Sequence, residues 1–387
     1  MTEKESALYS HYIIDGVRLD MTPAELLDEC MEDDGFIPDT SFSDIVDEST
    51  EPPLSAFRYD PDKENQYISQ AAAASHEERP FGMLYPEHFT RLQIAKALMH
   101  RLWSQGHFKL GNLKLWAQWE WNTRHIGNMS AFYRSVESAS DYIYGLGVKL
   151  EDYLFIEGDD TSNAKFYSWL DEEYDRSAID NSEFDDRPTL FKSSPFESRH
   201  PWISEERHCP ATLAPEKDSW VIYIPFDTCA FRLGDSLITQ VNGQNGGNAP
   251  DIADPDYFID CYEVVRELVE DGIIMSGVTV ADGGLACAAM KMCEHSGLDI
   301  DIKGVMSSYC EEDRTKVLFG EVPGVLIQVS AENYDYVDSQ LLLQDIAYYP
   351  IGHPNGKPAQ LNISESSKNG VADILASLLG HASEGED

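Results

Sequence analysis

From residue 86 to 103 the chain reads PEHFTRLQIAKALMHRLW, with Leu92, Ala95, Leu98 and Leu102 at helical spacing behind a first-turn proline. KLGNLKLWAQWEW then alternates apolar and polar positions as a strand or extended segment does. SAFYRSVESASDYIYGLG places Phe132, Val136, Ala139 and Ile143 on one helical face, with Gly145 as the stop. These three elements are expected to pack together. Residues 157–218 lose periodicity and are rich in Asp, Ser and Pro, the profile of a long excursion or a domain boundary. The pattern resumes with the buried strand SWVIYIPF, followed by a helix carrying Phe258, Tyr262, Val265 and Val269 and ending at Gly272. Strand GVTVA, a helix from Gly284 to His295, a strand at LDIDI, a helix from Glu311 to Leu318, strand GVLIQVS and strand AYYPIGH complete the series. Strands and helices of this length predict an α/β or α+β domain over 219–360.

Charge changes the picture at the N-terminus. Residues 1–64, including LLDECMEDDGFIPDTSFSDIVDESTEPP, predict an acidic, weakly structured arm whose apolar residues Leu26, Leu27, Phe36, Ile37, Phe42 and Ile45 could dock on the body or on a partner. Residues 65–218 then form one region, and 361–387 a C-terminal tail that frays at HASEGED. Lys and Arg total 28 against 69 Asp and Glu, a net charge of −41, which argues against nucleic acid and anionic membranes as partners. A polyanionic ligand would need local cations, main-chain N–H groups or a bridging metal ion. Seven scattered cysteines without a CxxC pair indicate neither a disulfide framework nor a zinc site. With no apolar leader and no long apolar run, the expected location is the cytoplasm.

Some stretches could carry chemistry. In GVTVADGGLACAAM, Asp282-Gly283-Gly284 joins a β-branched strand to a helix. It reads either as a capped tight turn or as a turn that offers N–H groups to an anion, with Asp282 holding a bridging metal. GDDTSN at 158–163 is a polar turn or a hard-cation site. Glu321, just before Pro323-Gly324, is a solvated turn residue or a site residue. The Asn- and Gly-rich run GDSLITQVNGQNGGN fits neither Walker A nor the dinucleotide fingerprint and reads as a flexible connection, and His200, His208 and Cys209 match no zinc spacing. There is no GxSxG elbow and no HExxH.

Taken in order, FRLGDSLITQ, VTVADGGLACAAM, GLDIDI, VLFGEVPGVLIQVS and YYPIGHP resemble the second synthetase-like repeat of phosphoribosylformylglycinamidine synthase, an ATP- and glutamine-dependent ligase of purine biosynthesis. Upstream, RLQIAKALMHRLW, LKLWAQWEW, GNMSAFYRSV and GDDTSNA are similar to further elements of that family, so the resemblance covers roughly residues 68–356. It implies an α/β (α+β) fold with an aminoimidazole-ribonucleotide-synthetase-like C-terminal domain over 219–360 and a partial N-terminal-type α+β region over 65–218. It also implies nucleotide or phosphate contacts at Gly234, Asp282, Gly283, Gly284 and Glu321, metal contacts at Asp160 and Asp282, and Mg²⁺ with ATP or ADP as cofactors.

Departures from the family pattern narrow that implication. The family's glutamate is Lys96 here, its Thr-Asn pair is Met99-His100, position 118 is Gln in place of Asn, and the lysine of its GKDS element is Asp159. The chain also has room for neither a first repeat nor a glutaminase domain. The expectation is a synthase-related protein with impaired catalysis and residual Mg-nucleotide binding. The alternative is a non-catalytic, acidic interaction or regulatory module on the same fold. A full-length synthase or a second copy of the chain would be the partner, and any remaining activity would be ATP-dependent carbon–nitrogen ligation.

Overall fold

The structure, a computed structural model, describes residues 6–31, 60–75, 79, 81–158, 161–170, 207–243 and 247–365. Asp160, His200, Phe36, Ile37, Phe42, Ile45 and residues 366–387 lie outside the described residues.

A two-strand hairpin, β1 (Ile13–Ile14) and β2 (Val17–Arg18), leads into helix α1 (Pro23–Met31). The helix starts on a reciprocal cap: the Thr22 hydroxyl accepts from the Glu25 N–H at 3.3 Å, and the Glu25 carboxylate accepts from the Thr22 N–H at 2.7 Å. Leu8, Ala24 and Leu27 are buried in the main core, and the Tyr12 ring meets Tyr133 at 5.1 Å. Residues 6–31 are therefore built onto the body, a difference from the weakly structured arm expected over 1–64. Acidic composition masked a Thr-x-x-Glu helix start with a buried apolar face.

Helices α2 (Glu64–Ala74) and α3 (Pro86–Met99) precede strand β3 (Leu113–Asn122), helix α4 (Ile126–Gly145) and strands β4 (Lys149–Gly158) and β5 (Asn163–Leu170). β3 lies between β4, which it pairs in parallel, and β5, antiparallel. Leu115, Ala117, Trp119 and Trp121 alternate along β3 into the core shared with α3 and α4. The buried indoles find acceptors, Trp119 donating to the Ser135 hydroxyl at 3.0 Å and Trp121 to the Asn128 carbonyl at 2.6 Å. β5 and the end of β4 fall where the acidic composition of 157–218 had suggested irregular chain.

The second sheet has the order β11-β8-β10-β6-β9-β7. Its elements run β6 (Trp220–Pro225), α5 (Leu237–Val241), α6 (Pro255–Glu270), β7 (Ile274–Val280), α7 (Gly284–Met292), β8 (Leu298–Asp301), α8 (Lys303–Ser308), α9 (Arg314–Phe319), β9 (Gly324–Val329), α10 (Tyr334–Leu343), β10 (Tyr349–Pro354) and β11 (Leu361–Ser364). Asp254 caps α6 by accepting from the Tyr257 N–H at 3.0 Å, with Pro255 behind it. Phe258, Tyr262, Val265 and Val269 then bury against the same core as α3 and α4. On the opposite face of the sheet, Leu285, Ala289 and Met292 pack with Val317 and Leu318. α10, α5 and β11 are further elements that periodicity had not marked, β11 falling inside the expected tail.

Two contacts set α3 beside the end of β7. The Trp103 indole donates to Thr279 Oγ1 at 3.0 Å and lies flush on Gly277, where a Cβ would come within 2.2 Å of the ring. The buried Arg266 guanidinium, on α6, donates to the carbonyls of Leu102 at 2.5 Å and Ser104 at 2.6 Å and to that of Gly106. A charge that replaces water with three carbonyl acceptors locks the turn after α3 onto α6.

Candidate functional site

β7 ends at Val280, and the chain turns through Ala281, Asp282 and Gly283 into α7. Gly283 has φ +78° and Gly284 φ +67°, conformations that glycine adopts without a Cβ penalty. Each glycine also answers to a close neighbour within the chain. A Cβ on Gly283 would meet the Cys287 sulfur at 2.4 Å, and one on Gly284 the carbonyl oxygens of Leu318 at 2.7 Å and Gly320 at 2.9 Å. Gly234 is likewise pressed under other backbone: its Cβ would lie 2.2 Å from the Gly247 carbonyl, and its N–H donates to the Asn248 carbonyl at 2.8 Å.

The turn N–H groups are committed in the same way. Gly283 N–H donates to Glu321 Oε1 at 2.9 Å and Gly284 N–H to the Ala281 carbonyl at 2.8 Å. Glu321, 3% exposed, accepts a second bond on Oε1 from the Leu237 N–H at 2.8 Å, at the start of α5. Its Oε2 accepts from Arg79 Nη1 at 2.7 Å. Arg79 Nη1 also reaches Asp282 Oδ1 at 3.2 Å, and its Nη2 donates to the Asp235 carbonyl next to Gly234. The other Asp282 oxygen is paired with Lys96 Nζ, from α3. Two carboxylates thus face two cations, with the Arg79 guanidinium over the Phe89 ring at 5.4 Å from its centre.

The electrostatics grade the two acids. Burial opposes ionisation of Asp282, but Lys96 and then Arg79 outweigh it and hold the carboxyl below its usual range. Burial pushes Glu321 up, against the pull of Arg79. Asp282 is the firmer anion and Glu321 the more readily protonated. Burial would lower Arg79, yet Glu321 and Asp282 raise it above its ordinary value, so the guanidinium stays charged.

The space a water-sized sphere can occupy between Arg79, Lys96, Asp282 and Glu321 is about 10 Å³. That is room for about one water, whereas ligand pockets run to roughly 300–1,000 Å³. Nor do the donors suit a divalent cation: both oxygens of each acid already carry a hydrogen bond or an ion pair. Among the described residues, no group of three or more His, Cys, Asp or Glu is placed to hold a metal.

The structure therefore brings Asp282, Gly283, Gly284 and Glu321 into one cluster and sets Gly234 beside it through Asp235. Asp282 does not cap α7: Gly283 is the cap residue and makes no side-chain cap bond. Lys96, read from the sequence as a departure, is a member of the cluster. Arg79 was missed. Its signal was a single arginine in the acidic run HEERPFGM, in a chain where acids outnumber Lys and Arg 69 to 28.

Comparison with known proteins fits this layout. Residues 233–359 match the family described as AIR synthase related protein, C-terminal domain. The chain is 23% identical over 301 residues to the probable phosphoribosylformylglycinamidine synthase, chloroplastic/mitochondrial, of Arabidopsis thaliana, an alignment covering 75% of this chain and 19% of that protein. The chain is a relative of the phosphoribosylformylglycinamidine synthases. To the human phosphoribosylformylglycinamidine synthase it is 28% identical over 117 residues, 30% of this chain and 8% of the human one. This synthase relative thus spans about a fifth of the plant protein's length. Its fold is like that of Thermotoga maritima PurL complexed with FGAR, at a TM-score of 0.50 and 10% identity over 71% of this chain and 41% of that one. Among the described residues, no helix is long and apolar enough to cross a membrane.

Proposed function

We propose that this synthase relative is catalytically impaired, a non-catalytic module that keeps the fold without taking up Mg-nucleotide at the Asp282 turn. One observation carries the reading: Lys96 and Arg79 supply internal cations to the two carboxylates that a bridging metal would need. The Gly283 and Gly284 N–H groups of the turn are bonded to Glu321 and Ala281, which supports the same conclusion. Within this reading, Asp282 and Glu321 are structural acids that join α3, α5 and α7. The output of the protein is then an interaction, with a longer synthase or with a second copy, carried by a strongly acidic surface in the cytoplasm.

Isothermal titration of the full chain with Mg-ATP tests the first part. The expected result is no saturable heat up to millimolar nucleotide. Micromolar binding that is lost on metal chelation would overturn it and would restore the Mg-nucleotide role for Asp282. Light scattering after size exclusion, with and without a full-length synthase, tests the second part; a monomer that forms no complex counts against an interaction module.

A further inference from the structure

On the second sheet, toward the edge opposite β7, strands β8, β10 and β11 line an open groove of about 410 Å³. Trp220, Pro350, His353, Asp299, Asp301 and Asn362 are among the residues that line it. The volume falls in the range of small-molecule sites.

The strand register creates a row of acceptors. His353 is the cross-strand partner of Asp299 on β10 and β8, and Asn362 is the partner of Asp299 on β11. Asp299 Oδ1 accepts from the side-chain amides of Asn355 at 2.7 Å and Asn362 at 2.6 Å, which fixes the carboxyl and leaves its second oxygen for a ligand. Asp301 Oδ1 accepts from the Lys303 N–H at 2.9 Å and keeps its other oxygen in the same way. His353 Nδ1 lies 2.9 Å from the Ser219 carbonyl. A carbonyl can only accept, so Nδ1 carries a proton and donates to it, which fixes the ring. At the same end, the Trp220 ring stacks obliquely on His353, with centres 4.1 Å apart, and on Tyr334 at 5.1 Å.

The groove thus combines a fixed aromatic surface with two carboxyl groups beside the His353 ring, and among the described residues no Lys or Arg lines it. We propose that it binds a small organic cation bearing a guanidinium group. A guanidinium is planar and weakly hydrated. It stacks on an indole while its N–H fork meets a carboxylate, a combination that neither a metal ion nor a simple ammonium satisfies. The assignment is independent of the Asp282 cluster and does not rest on the proposed loss of nucleotide binding.

Titration of the full chain with agmatine, followed by calorimetry, tests the proposal, with putrescine as a cation that lacks the guanidinium. Saturable binding of agmatine is expected, stronger than that of putrescine. Asp299→Asn keeps the Oδ1 acceptor and removes the charge, and should weaken agmatine at least about tenfold. Trp220→Leu should weaken agmatine more than putrescine. Glu332→Gln, outside the groove, should leave binding unchanged, and circular dichroism confirms that each variant is folded. Three results would overturn the proposal: equal affinity for putrescine, equal losses in Asp299→Asn and Glu332→Gln, or saturable binding of an arginine-containing peptide with agmatine silent.

Discussion

Arg79 and Glu321 meet at 2.7 Å although 242 positions separate them in the chain. The contact brings an arginine ahead of α3 against the turn that precedes β9, and Asp282 and Lys96 complete the pair on either side. Both carboxylates of the turn are thus paired with cations from within the chain.

Glu321 should therefore matter most for stability. Glu321→Ala removes the partner of a buried guanidinium and leaves the N–H groups of Leu237 and Gly283 without an acceptor. A loss of about 3–5 kcal/mol is expected in urea unfolding. Glu321→Gln, which retains an amide oxygen for those N–H groups, should cost clearly less; equal costs would mean that the N–H acceptor, and not the charge, matters little.

Exchanging the internal cations should reopen the cluster. With Arg79→Gln and Lys96→Glu together, Asp282 and Glu321 lose their cations and gain a third carboxylate. The double variant should be less stable without metal and gain several degrees of melting temperature from millimolar Mn²⁺, while the native chain gains none. A melting temperature indifferent to Mn²⁺ in both would show that the geometry, beyond the charges, excludes a metal.

Gly284→Ala probes the turn itself. The added Cβ meets two backbone carbonyls in a left-handed conformation, so the expected cost is on the order of 2–4 kcal/mol. A near-neutral effect in chemical denaturation would mean that the turn adjusts.

Alkaline pH should destabilise the chain. Burial pushes the thiols of Cys30 and Cys209 up to about 11 and those of Cys287 and Cys293 up to about 12, from an ordinary value of 9.0. Above pH 9 the unfolded chain releases thiol protons that the folded chain keeps, so unfolding gains free energy as pH rises. Stability from this source is intact below about pH 9 and declines up to about pH 12. Thermal melts under reducing conditions should show a midpoint that falls steadily over that window; replacing Cys287 and Cys293 by Ala should flatten the fall.

Much of the α/β layout was legible because apolar periodicity reports which face of an element is buried. Phe258, Tyr262, Val265 and Val269 mark α6, and the run VIYI marks β6, without reference to anything distant. Composition was a poorer guide where acids dilute the pattern. In α1 buried Leu27 stands among Asp and Glu, and in β5 buried Phe166 stands among Asn, Lys and Ser, and only their contacts show them to be core. The C-terminal strand β11 is short and needs β8 beside it to be a strand at all.

The sequence by itself determined most of the α/β succession over 219–360, the glycine-bearing Asp282-Gly283-Gly284 turn and the kinship with the synthases, because local periodicity and residue order carry that information. It also put a lysine where the resemblance expects an acid. Only the tertiary structure decided what Asp282 and Glu321 face. Whether a carboxylate binds a metal, a phosphate-bridging ion or an arginine depends on which charge comes within about 3 Å of it. Here that charge comes from Arg79 and Lys96, 203 and 186 positions from Asp282 along the chain, which only the folded structure brings to it.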